Sequence, residues 1–203
     1  LQKKDMAFND DNFLDDYEIQ ELINRFENQL ESGMPLFFDA DELNIIIEHY
    51  VQKNDIPKIN IIADLASTYH NTNPLTNLIM AKKYLSVQDA SNALPYLLDE
   101  TNNTEDADYQ LSLGYCYSLL DEHKLSLSAY KKAIKLLDKE NCDDIYNSMA
   151  VEYMLLRDFE RALYYFKKGL NASPDIAEQY AEITNCYFFL DKADEAIEFF
   201  KGE

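Results

Sequence analysis

Five residue types are absent or scarce in this chain, among them the cysteine and histidine that form disulfides and metal sites. Its 203 residues include no tryptophan, three cysteines, three histidines, four glycines and five prolines. Cys116, Cys142 and Cys186 are too few and too scattered for a disulfide framework, and no two have the spacing of zinc ligands. No histidine pairs with a cysteine or with a second histidine three or four residues away. We therefore expect reduced, structural cysteines and no metal site.

The short motifs of the common catalytic sites are also missing. The sequence has no glycine-rich phosphate loop, no Gly-x-Ser-x-Gly elbow and no His-Glu-x-x-His helix. Neighbouring carboxylates such as Asp143 and Asp144 are frequent in so acidic a composition, so they do not indicate acid–base catalysis. We expect no cofactor and no enzymatic activity.

Long apolar runs and positive charge are in short supply as well. No run approaches the ~20 apolar residues that span a bilayer, and the N-terminal residues lack the apolar core of a signal peptide. The formal net charge is −20, which repels phosphate groups and attracts basic molecules. We predict a cytoplasmic protein with no membrane insertion and no nucleic-acid partner. Because the chain starts at Leu1, loss of a targeting segment is the alternative.

A repeated pattern is what the chain does contain. Fifteen tyrosines and 11 phenylalanines supply large rings for packing between helices. Five of the tyrosines recur at spacings of 34, 33, 36 and 34 residues. They are Tyr50, Tyr84, Tyr117, Tyr153 and Tyr187. Three residues before each of them stands a small or apolar residue, namely Ile47, Ala81, Gly114, Ala150 and Thr184.

Each repeated unit has two halves with helical periodicity. One example has Tyr146, Ala150 and Tyr153 in its first half and Ala162 and Phe166 in its second. The connections between halves are short and polar, which predicts antiparallel helical hairpins. The clearest connections are residues 121–122, 157–158 and 191–192.

Helix-start signals agree with this division. Asp39 followed by Glu42 predicts a capping box for the helix that carries Tyr50. Asn73 and Ser173 each precede a proline, which predicts an N-cap followed by proline in the first helical position. Gly114 is unfavourable within a helix, so it predicts a close crossing with a second helix.

This pattern resembles the tetratricopeptide repeat, a helix–turn–helix unit of 34 residues. The unit from Asp143 to Ile176 is the nearest to the family pattern, and it departs mainly in having no tryptophan. It fills the eight signature positions, in order, with Tyr146, Met149, Ala150, Tyr153, Ala162, Phe166, Gly169 and Pro174. The resemblance implies an all-α fold, an α-solenoid of antiparallel helical hairpins.

The expected array covers residues 15–203 and follows an acidic lead at residues 1–14, for which disorder is one expectation. A degenerate half repeat at 15–39 precedes five repeats. Their approximate ranges are 40–73, 74–106, 107–142, 143–176 and 177–203.

The resemblance also implies a binding groove, because stacked hairpins expose their first helices on the concave side. Groove residues in this family are the second, fifth, ninth, twelfth and thirteenth of each unit. Mapped onto this sequence they include Asp108, Leu111, Tyr115, Leu119, Asp144, Asn147, Val151, Leu155, Glu178, Asn185, Phe188 and Phe189. The expected groove has an apolar floor, acids at its mouth, and Asn147 and Asn185 placed to hydrogen-bond a peptide backbone. For each residue the alternative is packing between neighbouring helices.

Two functions follow from these expectations. The first is a protein-interaction scaffold that binds an extended or helical partner segment, basic with apolar anchors, in the concave groove. The alternative is a regulatory or structural portion of a larger protein that acts by intramolecular docking or self-assembly, including self-association through the C-terminal edge. A carboxylate clamp of the chaperone type is not expected, since Lys82 is the one basic residue among the corresponding positions.

Overall fold

The computed structural model describes residues 16–137, 142–170 and 177–202, with side chains of the last range described from residue 179. These residues form eleven helices and no strand, and the predicted all-α solenoid is confirmed. The helices are α1 (Asp16–Ser32), α2 (Ala40–Gln52), α3 (Ile56–Tyr69), α4 (Pro74–Leu85), α5 (Ala90–Leu97), α6 (Ala107–Leu119), α7 (His123–Leu136), α8 (Asp143–Leu155), α9 (Phe159–Leu170), α10 (Ala177–Phe189) and α11 (Ala193–Gly202).

The turn inside each hairpin is closed in the same way five times. The fourth residue after each repeat tyrosine has a left-handed backbone, with φ between 53° and 59°. The next residue donates its N–H to the carbonyl of the repeat tyrosine, at 2.8–3.0 Å. This arrangement closes the end of the first helix and reverses the chain. The left-handed residues are Asn54, Gln88, Asp121, Arg157 and Asp191.

The predicted helix caps within the described residues are confirmed. The Asp39 carboxylate accepts the N–H of Glu42 at 2.8 Å, and the Glu42 carboxylate accepts the N–H of Asp39 at 3.0 Å. The side-chain oxygen of Asn73 accepts the N–H of Leu75 at 3.0 Å at the start of α4. The predicted cap at Ser173 lies outside the described residues.

The buried side chains fall into three clusters along the array. The first joins α1 to α4, the second lies between α4 and α6, and the third joins α7 to α10. Small residues occupy the crossings, since Ala81, Ala93, Ala150 and Ala162 are all completely buried. A Cβ on Gly114 would lie 2.6 Å from the ring of Tyr130, so the predicted close crossing of α6 and α7 is confirmed.

Candidate partner-binding surface

The first helices of neighbouring hairpins share one side of the molecule. Lys82 on α4 is nearly buried, and its ammonium group reaches both adjacent first helices. It donates to Asn44 and Glu48 of α2 at 2.9 and 2.7 Å, and to Asp108 of α6 at 2.6 Å. We call these four residues the Lys82 network. The network places α2, α4 and α6 side by side, as the groove prediction requires.

The pKa values of the two carboxyl groups in the Lys82 network are shifted in opposite directions. Burial by itself would raise the pKa of Asp108, but the Lys82 ammonium and hydrogen bonds to the carboxylate hold this pKa below its ordinary value. For Glu48, burial dominates and raises the pKa, with the nearby Asp108 charge acting in the same direction. Asp108 is therefore the ionised partner of Lys82 and not an uncompensated acid at the groove mouth.

Most of the predicted groove residues on α6, α8 and α10 are exposed. Phe188 and Phe189 are 78% and 58% exposed, Leu155 is 57% exposed, and Val151 and Tyr115 are 44% and 40% exposed. Large apolar side chains with this much exposed surface are unusual outside interaction sites when they follow one side of a molecule. We call these five residues the apolar row. Asp144 and Asn185 are exposed as well.

The environments of the leucine and asparagine residues in the predicted groove differ from one another. Leu111 and Leu119 are partly buried and pack against core clusters. The Asn147 amide oxygen is enclosed beside Gly169 and has no hydrogen-bond partner among the described residues. The side chain of Glu178 lies outside the described residues. Asn185 donates to Glu182 at 3.2 Å and stays accessible.

One aromatic residue of this surface was not predicted. Phe159, at the start of α9, stacks on Phe189 with ring centroids 4.5 Å apart and an interplanar angle of 11°. Phe159 comes from a second helix, and the family positions used for the prediction are confined to first helices. Its place directly after the predicted connection at residues 157–158 is the sequence signal that could have identified it.

An acidic cleft of about 1050 Å³ lies at the N-terminal end of the first-helix side. It opens between α1 and α2, and Leu75 and Asp106 complete its wall. Among the lining residues, Arg25 is the basic one, and it is paired with Glu42. Sequence reasoning missed this cleft because α1 has no partner helix in the repeat pattern. The acidic lining residues are Glu18, Glu21, Asp39, Asp41, Glu42 and Asp106.

The cysteines have the character of packing residues. Cys116 and Cys186 directly precede repeat tyrosines and are completely buried. Burial raises the pKa of each thiol to about 11, so both are protonated near neutral pH. In the described ranges, no three His, Cys, Asp or Glu side chains are grouped as metal ligands would be.

The described part of the chain contains no candidate membrane-spanning helix. None of the helices there combines the length and the apolarity that a bilayer crossing requires.

Comparison with known proteins supports the repeat assignment. The family model described as tetratricopeptide repeat matches residues 107–136 and 143–176. A comparison with curated protein sequences gives no match.

Solved structures with the same fold cover most of this chain. The structure of MamA has a TM-score of 0.63 and 21% identity, over 82% of this chain and 93% of MamA. TTC0263, a tetratricopeptide-repeat protein of Thermus thermophilus, has a TM-score of 0.62 and 18% identity, over 85% and 92% of the two chains. BtubC from P. vanneervenii has a TM-score of 0.59 and 14% identity, over 89% and 87%. At these identities the likeness concerns the fold.

Proposed function

We propose that this chain, which is a tetratricopeptide-repeat protein, works as a non-catalytic scaffold in the cytoplasm and binds a partner segment along its first-helix side. The partner segment is extended or helical, and it carries apolar anchors and positive charge. The fold by itself serves many tasks, so the proposal depends on the surface of this particular chain.

The apolar row is the observation that carries this proposal. Binding energy in protein interfaces is concentrated in a few large side chains, above all aromatic ones. Phe188, Phe189 and Tyr115 supply three such side chains in exposed positions, and Val151 and Leu155 lie on the helix between them. Phe159 stacks on Phe189 and holds that ring in place, which lowers the entropy lost when a ligand packs against it.

The positive charge of the partner is inferred from the acidic cleft. Asp108 is neutralised by Lys82 and attracts a ligand only weakly. The cleft at the N-terminal end instead collects six acidic residues, and exposed Asp144 adds a carboxylate beside the apolar row. A field of this sign increases the association rate of a basic segment and loses strength as salt screens it.

The test uses peptides selected from a displayed library against the wild-type protein. We expect selected peptides to combine basic and large apolar residues. Phe188→Ala and Tyr115→Ala should each weaken binding about tenfold while the melting temperature stays unchanged, because both side chains are exposed in the free protein. Tyr69→Ala is the matched control, since Tyr69 is 64% exposed at the end of the outer helix α3.

Affinity should also fall as salt concentration rises. Peptides that bind the Phe188→Ala and Tyr69→Ala variants equally well, or that bind independently of salt, would contradict the respective parts of the proposal.

A structural role with self-association is the second candidate, and α11 favours it. None of the side chains described in α11 is buried, and Ile197 and Phe200 are 51% and 40% exposed. Phe199 is better covered, because it packs near Tyr187 with the Lys167 ammonium 4.5 Å from its ring centroid. Ile197→Glu is therefore a cleaner test than Phe199→Glu.

If α11 pairs with a second copy, analytical ultracentrifugation should show a dimer that the Ile197→Glu substitution dissociates. A wild-type protein that stays monomeric at high concentration would exclude this role.

A further inference from the structure

The positive charge of this acidic protein is concentrated on two outer helices. Helix α7 contains four lysines and no acidic residue, although the whole chain carries 38 acidic residues and only 18 basic ones. Helix α9 contributes Arg161, Lys167 and Lys168 against the single Glu160. The inner helix α8, which lies between them in the chain, begins with two acidic residues, Asp143 and Asp144. Its third carboxylate, Glu152, is buried and bonded to His123 of α7 at 2.8 Å. Basic side chains of this part of the array are therefore concentrated on its outer helices.

An open cleft of about 580 Å³ runs along α7 beside this charge. Its apolar surface comes from Leu113 and Tyr117 of α6 and from Leu125 and Leu136 of α7. Leu125 is 46% exposed. The cleft thus offers apolar surface that a partner side chain can cover.

Three lysines line the same cleft, namely Lys131, Lys132 and Lys135. Lys132 is paired with the exposed Glu105 at 2.9 Å. Neither Lys131 nor Lys135 has a carboxylate partner in the part of the chain that the structure describes. Unpaired exposed lysines beside apolar surface favour a ligand that brings both carboxylates and an apolar group.

Aromatic rings extend the positive surface from α7 to α9. Lys131 and Arg161 lie 5.5 and 5.6 Å from the centroid of the Tyr153 ring. Tyr153 in turn stacks on Tyr165 at 5.4 Å. These cation–aromatic contacts hold the two charged side chains in defined positions on the outer side.

From this combination we propose that the α7 cleft is a second docking surface, which binds an acidic protein segment with an apolar anchor. The acidic residues of that segment pair with Lys131 and Lys135, and its anchor covers Leu125. A protein segment fits better than nucleic acid, because the net charge of −20 opposes a polyanion at long range while a short segment experiences mainly the local lysines. This surface is separate from the apolar row, so a scaffold of this design joins a basic partner on one side to an acidic partner on the other.

The test measures fluorescence anisotropy with a short synthetic peptide that is rich in glutamate and has two leucines four residues apart. Two further probes are the same peptide with both leucines replaced by serine and a single-stranded oligothymidylate of equal charge. The wild-type protein should bind the leucine peptide, and the serine peptide should bind at least about threefold more weakly. Failure of the wild-type protein to bind the leucine peptide, or tighter binding of the oligonucleotide, would overturn the proposal.

Charge reversal then locates the site. Lys131→Glu/Lys135→Glu should raise the Kd about tenfold or more. Lys53→Glu/Lys201→Glu changes the net charge equally at two exposed lysines elsewhere and should leave the Kd unchanged. An equal increase in Kd for both variants would overturn the proposal, because it would show that binding responds only to the net charge of the protein. If Lys131→Glu/Lys135→Glu fails to fold, Lys131→Gln/Lys135→Gln provides the same comparison. Phe188→Ala should leave this affinity unchanged, which separates the outer site from the proposed inner one.

Discussion

The ring of Tyr130 lies directly against the backbone of Gly114. A Cβ at residue 114 would come within 2.6 Å of both Cδ1 and Cε1 of that ring. Tyr130 is itself nearly buried and belongs to a core cluster, so it has little room to move away.

Gly114→Leu is therefore expected to destabilise the protein. Overpacking at a close helix crossing typically costs about 1–3 kcal/mol, which exceeds the gain of about 1 kcal/mol in helix propensity. Thermal and urea unfolding measure the change. Gly202→Leu is the control, because a Cβ there meets nothing within 4 Å; a Gly114→Leu variant as stable as this control would contradict the crossing.

The left-handed turns predict a stabilising change. Arg157 adopts φ = 58° and has an exposed side chain. An L-residue with a side chain pays about 1 kcal/mol for this conformation and glycine does not. Arg157→Gly should raise the unfolding free energy by up to about 1 kcal/mol, whereas Glu160→Gly, three residues later inside α9, should lower it by about as much. Equal destabilisation by both changes would be incompatible with a left-handed turn at residue 157.

Removal of Lys82 should destabilise the array in a pH-dependent manner. Lys82→Met leaves Glu48 and Asp108 close together without their shared cation, at a cost of about 1–3 kcal/mol near pH 7. Without Lys82 the pKa of each carboxyl rises in the folded state. A raised pKa costs stability above that pKa and nothing below the unfolded value, so the deficit should shrink as pH falls from 7 towards 4. Urea unfolding of wild type and variant across this range measures the difference in unfolding free energy. A difference that does not change with pH would mean that loss of Lys82 does not raise the pKa of either carboxyl group.

The buried thiols should be unreactive in the native state. Burial raises the pKa of Cys116 and Cys186 to about 11, so almost no thiolate exists at pH 8. Ellman's reagent should therefore modify these two cysteines slowly in native protein and rapidly in denaturant, as peptide mapping can distinguish. Rapid native labelling of Cys116 would show that its hairpin opens or that the thiol is accessible.

The repeat tyrosines show how much of the fold was predictable. Their period and the small residues three positions before them predicted the hairpins, and Asp39, Glu42 and Asn73 marked two helix starts correctly. The left-handed turn residues were not recognised, because Asn54, Gln88, Asp121, Arg157 and Asp191 include no glycine. Each of these turns is closed by a hydrogen bond from the following residue to the carbonyl of the repeat tyrosine, a contact that sequence composition does not reveal.

The sequence predicted which groove residues are exposed better than it predicted which of their charges are paired. Family positions identified Phe188, Phe189, Leu155, Val151 and Tyr115, which are exposed. The same positions placed Asp108 among the acids at the groove mouth, whereas its carboxylate is paired with Lys82. That pairing depends on how closely α2, α4 and α6 approach one another.

The sequence by itself determined the helical repeat and its small-residue crossings, because these follow from local periodicity and side-chain volume. Tertiary structure alone decided which charges are neutralised and which remain available. Lys82 and Asp108 are 26 residues apart and meet only after two hairpins have stacked. Lys131 reaches the ring of Tyr153 for the same reason, because the two residues belong to neighbouring repeats that meet only when the hairpins stack.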